Sequence, residues 1–277
     1  MKTRKNETID QRISVVIIAQ DDETRISNAI KSCQIFADEI VVIDGGSKDA
    51  SMQVSAQLGC EVYANPWPGY AKQRIFGVEH ASYDWIFFID TDEVVSKELA
   101  AEILQKKAQL KDGNTAYSVY RIGDFLGRWL DRGEHLVRLY NRKYHAIKDL
   151  LVHEAIDVES EQIVKMKGVL WHYGFRSIHD HIQRFNKYTD LEAQTAYIHS
   201  KPFRISALLF LPPARFLQKY ILHGLYKKGV AGFAVSMFWV MYEYQVCFKH
   251  YELSHMQKQA KRTAEKNAKG GETYVAQ

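Results

Sequence analysis

Cysteine is scarce in this 277-residue chain: there are three, Cys33, Cys60 and Cys247, an odd number without the paired spacing of a metal knuckle. That excludes a disulfide framework and a cysteine-built zinc site, and it suits a reducing compartment such as the cytoplasm. Proline is also sparse at five, and two of these are adjacent, Pro212 and Pro213. No apolar run reaches the ~20 residues that a bilayer-spanning helix needs. The uncharged stretch of residues 229–242, rich in Phe, Trp, Met and Val, has fourteen. The charged start Met1-Lys2-Thr3-Arg4-Lys5 is not followed by an apolar core, so no secretory signal is expected. No internal repeat and no RNA- or DNA-binding module is visible, which leaves nucleic acid out as an expected partner.

What the chain does have is enough apolar sequence, 46% against 25% charged, to bury one sizeable core and carry a helical extension. Three apolar runs each end in acids. Ile13–Ala19 leads into Gln20-Asp21-Asp22-Glu23, Ile40–Ile43 into Asp44-Gly45-Gly46-Ser47-Lys48-Asp49, and Trp85–Ile89 into Asp90-Thr91-Asp92-Glu93. Such runs read as buried strands. Between them Ile26, Ala29, Ile30 and Cys33 recur at helical spacing, and Met52, Val54, Ala56 and Leu58 precede Gly59, a helix stop. Strand and helix in alternation enforce parallel pairing with right-handed crossovers, so the acids gather at the carboxyl edge where open α/β sheets bind ligands. Two acids beside a buried strand repel each other unless a cation intervenes. Hard divalent cations, Mg or Mn, take oxygen ligands, and Mg²⁺ is usually held by one or two carboxylates plus substrate phosphates. Asp90-x-Asp92 therefore reads as a grip for a metal and a diphosphate.

Several motifs in order resemble one family. Ser14 to Ala19, the block Asp38 to Asp49, Gly69-Tyr70-Ala71-Lys72-Gln73-Arg74 and the block Asp84 to Glu93 are similar to family 2 glycosyltransferases of the GT-A fold. Phe125 to Trp129, Val137 to Tyr140, Leu151-Val152-His153-Glu154 and Leu170-Trp171-His172-Tyr173 resemble the branch of lipopolysaccharide core β-1,4-glucosyltransferases. The resemblance covers residues 12–250. It departs at Gln20-Asp21-Asp22-Glu23, where the branch has a Lys-Asn-Glu-Glu type of loop, and at Ile75, where an Asn commonly follows the Gln-Arg pair.

The resemblance implies an α/β, GT-A (Rossmann-like), mostly parallel sheet flanked by helices, and an inverting, metal-dependent transfer of a hexose, with glucose the expected sugar, from a UDP-sugar donor. Asp44 would accept a hydrogen bond from uracil, Asp90 would face the ribose or the metal, and Asp92 would hold the divalent cation, while Lys72 or Arg74 would add positive charge near the phosphates. Glu154, flanked by apolar Leu150 to Val152 and Ala155-Ile156, is the candidate general base for the acceptor hydroxyl. His172, some twenty residues later, is the candidate second metal ligand.

Each assignment has a plainer competitor. Asp44 and Asp49 are also residue types that cap a following helix, and Asp49 suits that role better. Glu154 can be a structural ion-pair partner of Arg138 or Arg142, and His153 can replace His172 as ligand. His172, His179 and His181 suggest zinc, but no Cys accompanies them. Trp129 and Arg128 either line an acceptor cleft or simply pack. A receiver-type signalling domain also carries paired acids after its first strand, as Asp21 and Asp22 do, but needs only about half this length.

Charge and apolarity concentrate at the C-terminal end. Residues 201–277 hold twelve Lys+Arg against four Asp+Glu. After Pro212-Pro213, read as a helix start, Phe216, Leu217, Tyr220, Ile221 and Leu225 form an apolar stripe beside Arg215, Lys219, Lys227 and Lys228. This pattern suits helices lying in the inner membrane surface near a lipid-linked saccharide acceptor, with packing on the core or dimerisation as the competing readings. The expected organisation is a catalytic domain over 1–175, a helical extension over 176–255 and a polar, disordered tail over 256–277. The expected location is cytoplasmic, peripheral at the inner face of the cytoplasmic membrane.

Overall fold

The computed structural model describes residues 11–148 and 156–271, which divide into two compact units, one ending at Gly174 and one beginning at Phe175. The first unit is built on the alternation expected. Strand β1 (Ile13–Ala19) is buried at every residue, as befits a strand covered on both faces. It leads to α1 (Glu23–Cys33), which buries Ile26, Ala29, Ile30 and Cys33. Then come β2 (Glu39–Asp44), α2 (Ser51–Gln57), β3 (Glu61–Ala64), α3 (Tyr70–His80) and β4 (Trp85–Asp90). Gly59, with φ +80°, stops α2 as expected. Val54 and Leu58 pack on the core, and Ser51 and Ser55, four residues apart, are covered as well; Ser51 Oγ accepts the Asp22 N–H at 2.9 Å and ties the helix start to the loop after β1.

The rest of the unit is β5 (Glu93–Val95), α4 (Lys97–Lys107), β6 (Ala116–Phe125), β7 (Arg128–Trp129), β8 (Glu134–Asn141) and β9 (Ile163–His172). Eight strands form one mixed sheet in the order β3-β2-β1-β4-β8-β6-β9-β5, with β7 folded back on β6. β3, β2, β1 and β4 are parallel, β8 is antiparallel to both its neighbours, and β9 is parallel to β6 but antiparallel to β5. Ala19 pairs with Asp44 and Ile18 with Asp90, so the carboxyl ends of β2 and β4 flank that of β1. The core under this edge includes Trp85, Phe87, Ile17, Ile30 and Leu99. Burial pushes the Cys33 thiol up to about 12, which leaves it an inert packing group.

Two close approaches set the helix seats. A Cβ on Gly77 of α3 would lie 2.5 Å from Val16, so only glycine lets α3 rest on β1. A Cβ on Gly168 of β9 would lie 2.3 Å from the Leu99 Cα in α4. There the β6–β9 register slips, and Glu102 of α4 accepts the N–H groups of Lys167 and Gly168 at 2.8 and 2.9 Å. Ser96 caps the same helix by accepting the Leu99 N–H.

The second unit is helical: α5 (Ile178–Ile198), α6 (Ile205–Phe216), a π-helical turn over 217–222, a 3₁₀ turn over 225–228 and α7 (Gly229–Gly271). Phe185 of α5 meets Trp239 and Tyr242 of α7 at ring distances of 5.6 and 5.0 Å, and the Tyr242 hydroxyl donates to Glu192 at 2.7 Å. Arg215 of α6 donates to Glu243 of α7 at 2.7 Å. Pro212 and Pro213 lie inside α6 and do not start a helix. Apolar residues from Ile205 onward begin the helix earlier, and the prolines remove two donors that would have bonded carbonyls one turn back; the ladder then widens to the π turn. Helix α7 continues through 256–271, where composition alone suggested a disordered tail; Gln, Ala, Lys and Glu there are strong helix formers. Among the described residues no helix is long and apolar enough to cross a membrane.

Because the obstruction at Gly168 is backbone, it cannot be relieved by a side-chain rotation. Gly168→Ala is expected to cost about 1–3 kcal/mol of stability, measured as a lower urea midpoint with an unchanged slope. A midpoint equal to wild type would show that α4 is free to move away from β9.

Candidate functional site

Asp44 ends β2 and is 1% exposed. Its Oδ2 accepts the N–H groups of Gly46 and Ser47, both at 2.9 Å, and the chain turns through Gly46 at φ +98°, a conformation glycine adopts without strain. Its Oδ1 is buried with no hydrogen-bond partner among the described residues. A buried carboxylate oxygen without a donor is costly, so this atom is placed for an N–H that the described residues do not supply. Asp44 is not a helix cap: α2 begins only at Ser51, and its N-cap is Ala50. Asp49 serves local structure, accepting from the Ser51 N–H at 3.0 Å and from the Glu23 N–H at 2.9 Å. The acids after β1 knit the same two loops together. Asp21, at φ +51°, accepts the Lys48 N–H at 2.7 Å, and buried Asp22 binds the Arg25 guanidinium at 2.8 Å.

The acidic cluster after β4 divides into two environments. Asp90 Oδ1 is 2.6 Å from Arg74 Nη2, and its Oδ2 is 3.5 Å from Arg138 Nη2. Arg138 also binds Glu93 at 2.6 Å, and Arg121 reaches Glu93 at 3.2 Å and pairs with Glu134. Glu93, fully buried, accepts the Asp90 N–H at 3.0 Å through its other oxygen and so closes the turn. Desolvation opposes the charge on Asp90, but Arg74 first and Arg138 second overcome it and hold the carboxyl well below the usual carboxylate range.

Asp92 lies on the other side of that turn. Its carbonyl accepts the Tyr173 N–H at 2.7 Å, and its Oδ2 is 3.5 Å from His172 Nε2 and 3.8 Å from Arg25 Nη1. The pairing of Glu93 with His172 in the β5–β9 register brings together these two residues, eighty apart in sequence. Gly174 keeps the space beside the ring: a Cβ there would fall 2.7 Å from His172 Nε2. One carboxylate and one imidazole facing each other fit a divalent cation whose other positions are filled by diphosphate oxygens and water. No group of three or more acid, His or Cys ligands occurs among the described residues.

The remaining expected site residues separate. Arg74 is buried against Asp90, while Lys72, two residues earlier and so on another side of α3, is exposed. Glu154 and His153 lie outside the described residues. Neither arginine weighed as a partner for Glu154 is idle: Arg138 holds Glu93 and Asp90, and Arg142 donates to the carbonyls of Val78 and Ala81 at 2.7 Å each. Trp129 packs with Trp171 and Tyr173 at 4.6 and 5.1 Å. In the second unit His181 sits among Phe175, Phe185 and Phe238, where burial and then Arg184 lower it to about 4. Sequence reasoning missed Glu93, Arg121 and Arg25. The available signal was Arg138 within Leu136-Val137-Arg138-Leu139-Tyr140, since a cation in a buried strand demands a buried carboxylate.

The family model described as Glycosyl transferase family 2 matches residues 14–170. The lipopolysaccharide core biosynthesis glycosyltransferase LpsC of Rhizobium meliloti is 30% identical over 249 residues, covering 87% of this chain and 92% of that one. An uncharacterized glycosyltransferase of Rickettsia typhi is 28% identical over 258 residues, covering 88% of each. A crystal structure of Mycobacterium tuberculosis glucosyl-3-phosphoglycerate synthase overlaps 40% of this chain and 44% of its own, at 24% identity and a TM-score of 0.35.

The lowered pKa of Asp90 contributes stability above about pH 4, the ordinary carboxylate value, and that contribution is lost as pH falls from there through the lower folded-state value. Asp90→Asn is therefore expected to be less stable than wild type near pH ~6, with the gap narrowing near pH ~3 in urea titrations. A gap that stays constant would mean that Arg74 and Arg138 do not favour the charged form.

Proposed function

Since the chain belongs to glycosyltransferase family 2, its chemistry is glycosyl transfer, and we propose that it moves a hexose, glucose, from a UDP-sugar to a lipid-linked acceptor of the lipopolysaccharide inner core, with inversion. The observation that carries the donor half is the meeting of Asp92 Oδ2 and His172 Nε2 at 3.5 Å on the ligand-binding edge of the sheet. Asp92 and His172 would hold Mg²⁺ or Mn²⁺, which when bound offsets the charge that develops on the departing diphosphate. The partnerless Oδ1 of Asp44 supports its role as acceptor for the N–H of a uracil ring. Lys72, exposed on the first turn of α3, is available to a phosphate. Arg74 acts one step removed, by fixing Asp90 for the ribose.

The acceptor half falls to Glu154. Its carboxylate takes the proton of the acceptor hydroxyl as that oxygen attacks the anomeric carbon from the face opposite UDP; the new C–O bond forms while the bond to the diphosphate breaks. The likeness to LpsC supports an acceptor in the lipopolysaccharide core, and such an acceptor would go with an enzyme of the cytoplasm, peripheral at the inner face of the cytoplasmic membrane.

Thermal stability of the full chain with Mg²⁺ or Mn²⁺ and a panel of UDP-, GDP-, ADP- and CMP-sugars tests the donor reading. A ligand that binds only the folded state at 100 times its Kd adds about 2.7 kcal/mol. The expected result is stabilisation by one UDP-sugar and only with metal, lost in Asp92→Ala and in His172→Ala. Glu154→Gln should keep that stabilisation and lose about 10²–10⁴-fold in transfer. Metal-independent stabilisation would remove Asp92 and His172 from the proposed role, and normal transfer by Glu154→Gln would move the base elsewhere.

A further inference from the structure

Helix α6 and the π turn after it present a row of apolar side chains to the outside: Ile205, Leu209, Pro213, Leu217 and Ile221, spaced by four residues and all exposed. At 1.5 Å per residue the row is about 24 Å long. Phe210 and Leu222 beside it are 71% and 67% exposed. The first turns of α7 continue the pattern at spacings of three and four with Val230, Phe233, Met237 and Met241, also exposed. Single exposed apolar residues are ordinary, but two adjoining helices that both leave a face of this kind uncovered mark an interaction surface.

Charge identifies what covers it. Residues 201–242 contain six Lys or Arg and not one Asp or Glu. Arg215 is bound to Glu243, and Lys219 lies over the Trp239 ring at 4.4 Å. The other four bracket the apolar row: Lys201 and Arg204 precede α6, and Lys227 and Lys228 form the 3₁₀ turn that leads into α7. A second copy of the chain would bring an equally basic face against this one and meet repulsion. Insertion across a bilayer is closed to these helices, since none of those described is long and apolar enough. An apolar stripe without acids, bordered by Lys and Arg, matches a helix that lies in the plane of a membrane with its apolar side chains below the headgroups.

We propose that the outer face of α6, the π turn and the first turns of α7 docks on an anionic phospholipid surface, with Lys201, Arg204, Lys227 and Lys228 meeting the headgroups. The proposal rests on the reading of a membrane-side acceptor for its purpose, and it assigns the surface that brings the enzyme there. Vesicle binding and nucleotide-sugar binding are read separately, so either can fail alone.

Flotation of the full chain with vesicles of phosphatidylcholine, with and without about 30% phosphatidylglycerol, is the experiment. Binding is expected only to the anionic vesicles and should fall as salt rises. Lys227→Glu/Lys228→Glu should weaken it at least ~30-fold, from the loss of two headgroup contacts. Leu209→Glu/Leu217→Glu should abolish it, while both variants keep the wild-type helix content by circular dichroism and the wild-type urea midpoint, which shows that they fold. Equal binding to neutral vesicles, or none to either kind, would overturn the assignment. So would a dimer in light scattering that Leu209→Glu/Leu217→Glu dissociates, because the face would then belong to a second copy.

Discussion

A carboxylate with no access to water, Glu93, begins the edge strand β5 and is bound by groups from β4, β8 and β6, the strands across which the parallel half of the sheet gives way to the antiparallel. Burying that charge costs several kcal/mol unless cations and hydrogen bonds surround it. Arg138 from β8, Arg121 from β6 and the N–H of Asp90 supply them. These three contacts reach three different strands, so satisfying Glu93 fixes where β4, β6 and β8 stand relative to one another. The turn that carries Asp90 and Asp92 is then held at its base by a group that cannot move without exposing a charge. The pair Arg74 and Asp90 extends the same network to α3, whose seat on β1 depends on the missing side chain of Gly77.

That constraint separates two acids that look equivalent in the motif. Asp90 points into the arginines and is kept ionised by them; Asp92, two residues on, is turned toward His172 and Arg25. Successive residues in extended chain face opposite sides, but residues two apart share a side, so a plain strand would have presented both acids together. The tight turn between β4 and β5, closed by Glu93 on the Asp90 N–H, breaks that equivalence. One acid is fixed in place by arginines and the other meets an imidazole brought by β9.

Much of the first unit was legible because its strands are buried on both faces: continuous apolar runs, helical spacing between them and acids at their carboxyl ends dictate a parallel sheet and its binding edge. The place of Asp44, Asp90 and Asp92 at the carboxyl edge follows from the same pattern, each standing directly after or at the end of such a run, whereas His172 is singled out by the family resemblance. The helical unit was less legible. Pro212 and Pro213 were read as a start because proline favours the first turn, yet the apolar residues before them carry more weight than two lost donors. The polar, Lys-rich composition of the end of α7 suggests disorder, while its helix-forming residues act locally. Ion pairs between strands far apart in sequence leave no local pattern, so the partners of Arg121 and Arg138 emerge only once the β4–β8–β6 order is known.

On the proposed reading, the two units would divide the problem of working on a water-soluble donor and a lipid-linked acceptor along physical lines. A nucleotide diphosphate calls for fixed dipoles, an orphan acceptor such as Asp44 Oδ1 and rigidly held acids, and these come from a sheet in which every strand is braced by its neighbours. A lipid surface calls for the opposite: a broad apolar face without acids, tolerant of local irregularity. The second unit has that character, with prolines inside α6, a π turn after it and a run of forty-two residues free of carboxylates. The defects that weaken its helices would cost little there, because the proposed docking face would be held by summed area and charge, whereas the proposed donor site would depend on single contacts such as Asp92 with His172.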